Sequence, residues 1–100
     1  MTPEGKIKAK VKKALAAFGQ HHWRFMPVQT GYGADALDFL LCIKGQFVAI
    51  ETKASVSKKL TPRQETTAEN ISLAGGLVFV VYDDKTLARA IYQIKKLLRR

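Results

Sequence analysis

Leu37-Asp38-Phe39-Leu40-Leu41-Cys42-Ile43-Lys44-Gly45-Gln46-Phe47-Val48-Ala49-Ile50-Glu51-Thr52-Lys53 is the stretch on which the fold turns. Residues 37–43 and 46–53 are short apolar runs rich in strand-forming side chains, and Lys44-Gly45 between them is a turn, so the spacing predicts a β-hairpin. A reversal at Lys44-Gly45 sets Ile43 against Gln46. Carried along the strands, that register places Asp38 opposite Glu51; any even-length turn on this centre preserves it, and a bulge breaks it. Lys53 follows Glu51 by two positions and shares its face, whereas Val48, Ile50 and Thr52 point to the other side. Cross-strand carboxylates stand roughly 5 Å apart and repel one another unless a cation neutralises them.

Outward from the hairpin, the chain reads as helix, strand, strand, strand, helix, strand, helix. Thr2-Pro3 is a helix start, with Thr as cap and Pro at the first helical position, and Ile7, Val11, Leu15 and Phe18 follow at helical spacing up to Gly19. Lys6, Lys8, Lys10, Lys12 and Lys13 surround that stripe, so the helix is expected to lay its apolar side on a sheet and keep a basic outside. Residues 23–28 form a short first strand interrupted by Pro27, and 29–36 a glycine-bearing loop. Beyond the polar, basic loop of residues 55–60, Thr61-Pro62-Arg63-Gln64 has the form of a capping box, opening a helix that Gly75-Gly76 closes. Residues 77–82 are a continuous apolar run suited to a buried strand. Asp83-Asp84 caps a last helix whose Leu87, Ile91, Ile94 and Leu98 share one face and which ends in Arg99-Arg100. There is no internal repeat and no low-complexity segment.

A chain of 100 residues with 47% hydrophobic content has room for one core, so residues 1–100 are read as one domain. Lys and Arg number 17 against 8 Asp and Glu, a formal charge of +9. On so small a surface this favours a polyanionic partner, nucleic acid first, although high charge also serves solubility alone. No apolar run approaches the length of a bilayer span, and no hydrophobic signal core follows the N-terminus, so an intracellular, cytoplasmic protein is expected. The single cysteine, Cys42, excludes an internal disulfide and a cysteine-based zinc cluster, and its apolar neighbours suggest a buried structural thiol.

Two carboxylates and a lysine on one face suit phosphodiester hydrolysis. Carboxylates attract a hard cation such as Mg²⁺, which would polarise a scissile phosphate and acidify a water, with Lys53 orienting that water and offsetting transition-state charge. Glu4 is a fourth candidate: it projects from the apolar side of the first helix toward the sheet, although a first-turn Glu also complements the helix dipole. The plain alternative is an edge-strand charge cluster in which Lys53 pairs with Glu51 and Asp38 is solvated.

Further residues extend the pattern. Asp38-Phe39-Leu40, Lys44-Gly45, Ala49-Ile50-Glu51-Thr52-Lys53, Leu60-Thr61-Pro62 with Gln64, and Gly75-Gly76 before a Val-rich strand occur in an order that resembles the VRR-NUC family of the PD-(D/E)XK nuclease superfamily, over nearly the whole chain. The resemblance implies an α/β fold with a restriction-endonuclease-like αβββαβ core, a mixed central sheet flanked by helices, and an added C-terminal helix. It implies Mg²⁺ or Mn²⁺ dependence, Asp38 and Glu51 as metal ligands with the main-chain carbonyl of Thr52, and Lys53 as the catalytic lysine. Glu4 matches an acidic residue on the first helix of such nucleases, and Gln64 a glutamine near the site, although the capping box already accounts for Gln64. Asp35-Ala36-Leu37 stands where the family usually has Gly and Pro, which makes Asp35 a rival ligand to Asp38. His21 and His22 belong to no such pattern and are assigned to the surface or to DNA-backbone contact.

Stand-alone members of the family resemble Holliday junction resolvases of phage and bacteria, which implies a homodimer acting on branched or duplex DNA. Lys58, Lys59 and Arg63 beside the presumed site, with Lys8, Lys12 and Arg24, are candidate phosphate contacts. Such contacts position DNA without reading its sequence, so structure-selective cleavage is expected. The alternative is a non-catalytic basic DNA-binding module that keeps the nuclease fold. A restriction-type enzyme with a defined target is disfavoured, because no separate recognition domain is visible.

Overall fold

In a computed structural model, residues 1–28 and 36–99 are described. Helix α1 (Pro3–Ala16) is followed by a 3₁₀ turn (Gly19–His21), strands β1 (Trp23–Phe25), β2 (Phe39–Ile43) and β3 (Gln46–Thr52), helix α2 (Pro62–Leu73), strand β4 (Leu77–Val81) and helix α3 (Asp84–Leu98). The four strands form one mixed sheet in the order β1-β2-β3-β4, antiparallel between the first three and parallel between β3 and β4. This is the expected order of elements. The parallel step follows from α2, which carries the chain back between β3 and β4.

The hairpin register is as the sequence predicts: Ile43 pairs with Gln46 and Phe39 with Ile50. Lys44 and Gly45 both have positive φ, 50° and 84°. Two consecutive left-handed residues make the turn whose twist matches that of the flanking strands, and they hold the register down to the Asp38 end.

Alternation along the strands builds the core on one face. Phe39, Leu41, Ile43, Val48, Ile50 and Val81 are buried there under Val11 and Leu15 of α1 and Ala90 and Ile94 of α3. Helix α2 lies on the other face, against β4 and the end of β3. Thr61 and Gln64 form its capping box, and the Schellman bonds Gly76 N–H to Ile71 O (2.8 Å) and Gly75 N–H to Ser72 O (3.0 Å) end it. A Cβ on Gly76 would lie 2.5 Å from Ile71 Cγ2, so close packing of α2 on β4 requires glycine there. Asp83 caps α3 through Thr86, as its position implied. No described helix is long and apolar enough to cross a membrane.

Four local expectations need correction. Helix α1 ends at Ala16, and Gly19, with φ of 55°, lies within the following 3₁₀ turn rather than closing the helix. Strand β1 stops at Phe25, short of Pro27. Cys42 is exposed, because it falls on the face of β2 turned away from the core. Strand β4 is an edge strand with only Val81 fully buried; it is apolar throughout because α3 and α2 each cover part of one of its faces. The loop residues 29–35, and with them Asp35, lie outside the described residues, as does Arg100.

Candidate active site

The site forms where β2 begins and β3 ends. Asp38 lies one residue before β2 and is tied to the end of β3 in both directions. Its backbone N–H donates to Glu51 Oε1 (2.9 Å), while its Oδ2 accepts from the backbone N–H of Thr52 (3.0 Å) and from the Thr52 hydroxyl. The hairpin register therefore delivers Asp38 and Glu51 to each other across the sheet, and Thr52, otherwise pointed at the core, fixes the Asp38 carboxylate.

Helix α2 supplies the second support. Gln64 Nε2 donates to Glu51 Oε2 (2.8 Å), and Gln64 Oε1 accepts from Lys53 Nζ (2.9 Å) and from the backbone N–H of Thr61 (3.0 Å). The Lys53 ammonium stands 3.6 Å from Glu51 Oε2. One amide thus completes the helix cap and bridges the acid to the lysine, so the capping role and the site role of Gln64 are both present. Helix α1 contributes from the opposite side: Lys8 Nζ lies 3.5 Å from Asp38 Oδ1. Glu4, one turn earlier on α1, is near enough for its charge to act on Glu51.

Glu51 is 3% exposed, and its pKa is raised from the ordinary 4.5 to about 7. Burial is the main cause and the Asp38 charge the next; the N–H of Asp38 and the Lys53 ammonium pull the other way, and Glu4 adds a further upward push. A buried carboxylate beside two other acids is electrostatically costly, and a divalent cation removes that cost. The donor set fits such an ion: it is all oxygen, and each carboxylate oxygen that accepts one hydrogen bond keeps a second lone pair. The peptide geometry adds an acceptor. Lys53 N–H donates to Val81 O on β4 (3.0 Å), so in this trans peptide the Thr52 carbonyl is directed the opposite way, toward the β2 side where Asp38 stands. Among the described residues, no group of three or more His, Cys, Asp or Glu side chains converges as a ready-made metal cage. Mg²⁺ is commonly held by one or two carboxylates and keeps several waters, so the smaller set matches its habits.

No protein-family model matches this sequence. No curated protein matches it either. A search of solved structures finds a chain described as a "VRR_NUC domain", which superposes with a TM-score of 0.78 at 26% sequence identity over 92% of this chain and 97% of that one. This chain is similar to that VRR_NUC domain over nearly its whole length. The VRR-NUC fold, a mixed four-stranded sheet with three helices, therefore carries the carboxylates, lysine and glutamine just described on a nuclease-type domain.

The remaining candidates divide by position. Lys8 and Lys12 are one helical turn apart on α1, and Arg24 Nη1 reaches the Lys12 carbonyl (3.4 Å), so these three cations form a strip leading away from Asp38. Lys58 and Lys59 are exposed in the loop before α2, and Arg63 in its first turn is adjacent to Gln64. His22 is held locally, its Nδ1 2.8 Å from Gly19 O and its ring edge-on to Phe18, while His21 is exposed; both line a hollow with Trp23, Cys42 and Lys44. The site partner that sequence reasoning missed is the Thr52 side chain. Its alternation assigned it to the core, and only the splayed end of the hairpin lets its hydroxyl meet Asp38.

Proposed function

We propose that this chain is a metal-dependent, structure-selective DNA endonuclease of the Holliday junction resolvase type, hydrolysing phosphodiester bonds with Mg²⁺ or Mn²⁺. The observation that carries this reading is the cluster of Asp38, Glu51, Lys53 and Gln64 around the open end of the β2–β3 hairpin. Asp38 and Glu51 hold the cation, with the Thr52 carbonyl on the same side. Bound there, the ion supplies compensation for phosphate charge and lowers the pKa of a water. Gln64 keeps the Lys53 ammonium beside Glu51, in position to orient the attacking water and to meet charge that develops on the phosphate oxygens. Thr52 and Lys8 keep Asp38 turned toward Glu51, and Glu4 adds negative potential that favours the cation. The strip of Lys8, Lys12 and Arg24 and the group of Lys58, Lys59 and Arg63 flank the site and would carry the phosphates on either side of the cut. Paired cuts in a four-way junction need two sites, which a homodimer supplies.

The reading is tested with labelled four-way junction, forked, duplex and single-stranded DNA, each incubated with Mg²⁺, Mn²⁺ or EDTA. Cutting of the junction in either metal and in no EDTA lane is expected. Binding of every DNA with cleavage of none in either metal would replace the nuclease by a non-catalytic basic DNA-binding module.

A further inference from the structure

A hollow of about 250 Å³ opens between the β3–α2 loop, the first turn of α2 and the end of β4. Val56, Leu60 and Val80 make it apolar, Tyr82 adds a ring, and Lys58, Lys59 and Glu65 supply its charge. The hollow shares two walls with the carboxylate site. Val80 pairs with Glu51 in the β3–β4 register, so their side chains are neighbours on the α2 face, with backbones about 5 Å apart. Glu65 follows Gln64, whose amide holds Glu51. The loop is closed on itself: Lys58 N–H donates to Ser55 O (3.1 Å), and the Ser55 and Ser57 hydroxyls are 2.9 Å apart. Val56 is nevertheless 60% exposed, and Leu60 and Tyr82 are only half-buried. Among the described residues, Lys58, Lys59 and Glu65 make no ion pair, and the one hydrogen bond of Tyr82 outside the sheet and helices is made by its backbone N–H.

We propose that this hollow receives one unpaired nucleobase of the DNA, from a nucleotide beside the cut, with Tyr82 stacking on the base and Glu65 reading its edge. The proposal deepens the nuclease reading and rests on it for the identity of the polymer. A ring and three apolar side chains suit the flat face of a base, and two lysines at the same hollow suit the phosphates that flank it. Glu65 decides between base and phosphate as the occupant. A carboxylate repels a phosphate, but it accepts a hydrogen bond from a base amine such as N4 of cytosine. A paired base cannot enter, because its edge is taken by its partner and its faces by stacked neighbours. Extruding it costs a few kcal/mol, and least where the base is already single-stranded. One wall shared with Glu51 therefore gives the site a preference for strands that leave the duplex at a branch, without any separate recognition domain.

The test is the affinity, in EDTA and by fluorescence anisotropy, for short labelled single strands of deoxycytidine, of deoxythymidine and of abasic deoxyribose phosphate. Every position in such a strand is alike, so the result does not depend on where the strand is cut. Wild type should bind the deoxycytidine strand at least about tenfold more tightly than the abasic one, a comparison that needs no variant. Tyr82→Ala, checked for folding by circular dichroism, should lose that difference while binding blunt duplex as wild type does, and Tyr82→Phe should keep it. Deoxycytidine should be favoured over deoxythymidine by about fivefold, and Glu65→Ala should abolish this preference. Equal affinity of wild type for deoxycytidine and abasic strands, or a Tyr82→Ala that keeps the difference, would overturn the proposal. So would a base preference that Glu65→Ala leaves intact. The expected preferences in a protein that cuts no DNA in either metal would sink the nuclease reading alone; metal-dependent cutting by a protein that binds all three strands alike would sink this one alone.

Discussion

Without a divalent ion the protein should lose stability as pH rises, and the burial of Glu51 sets the size of the loss. The Glu51 carboxyl is raised from 4.5 to about 7 by burial, by Asp38 and by Glu4. Below about pH 4.5 it is protonated in both folded and unfolded chains, and its contribution to stability is fully present. Between 4.5 and about 7 the unfolded chain gives up the proton first, so stability falls; above about 7 the contribution is lost. The difference corresponds to about 3 kcal/mol, which for a domain of this size is roughly 10 °C or more in melting temperature. The assay is thermal unfolding in EDTA from pH 4.5 to 8, for wild type and Glu51→Gln, whose side chain stays neutral throughout. The wild-type melting temperature should fall relative to the variant as pH rises, and Mg²⁺ at pH 8 should restore it in wild type only. Parallel curves for the two proteins in EDTA would refute the electrostatic account of the site.

Gln64→Ala and Thr61→Ala both break the α2 capping box, at a cost of about 1 kcal/mol each; but only Gln64→Ala should also cut kcat on DNA by tenfold or more, as steady-state kinetics below both melting temperatures would show. Gly76→Ala drives a methyl into Ile71 and toward Phe47 and should destabilise by about 1–3 kcal/mol, read from denaturant midpoints, with DNA affinity per folded molecule unchanged. Binding to blunt duplex should weaken with salt, and Lys58→Ala with Lys59→Ala should reduce the log–log slope by about 1 for each phosphate that is no longer neutralised; an unchanged slope would remove that loop from the DNA path.

The features legible in the sequence are those that local chemistry fixes. Two strand-like runs around Lys44-Gly45 determine a register, and the register alone carries Asp38 to Glu51. Thr61, Pro62 and Gln64 announce a helix start by spacing, and Gly75-Gly76 its end. The misplaced features depend on what covers a face, which period cannot reveal. Cys42 sits in an apolar run like any core residue, yet the helices pack on the other side of β2 and leave it exposed. The apolar run of β4 reads as a buried strand, but a strand at the sheet edge also needs two apolar faces when helices flank it. The link from Thr52 to Asp38 crosses the alternation rule, because Asp38 precedes its strand and is free to turn.

The central claim is that Asp38 and Lys53 perform chemistry rather than hold the fold. Cleavage of the preferred branched DNA by wild type, Asp38→Asn and Lys53→Ala, with binding and melting temperature measured on the same preparations, tests it most directly. The account predicts that both variants fold and bind as wild type does and lose Mg²⁺-dependent cutting by at least about 100-fold. Variants that cut at the wild-type rate, or a wild type that cuts equally well in EDTA, would contradict it.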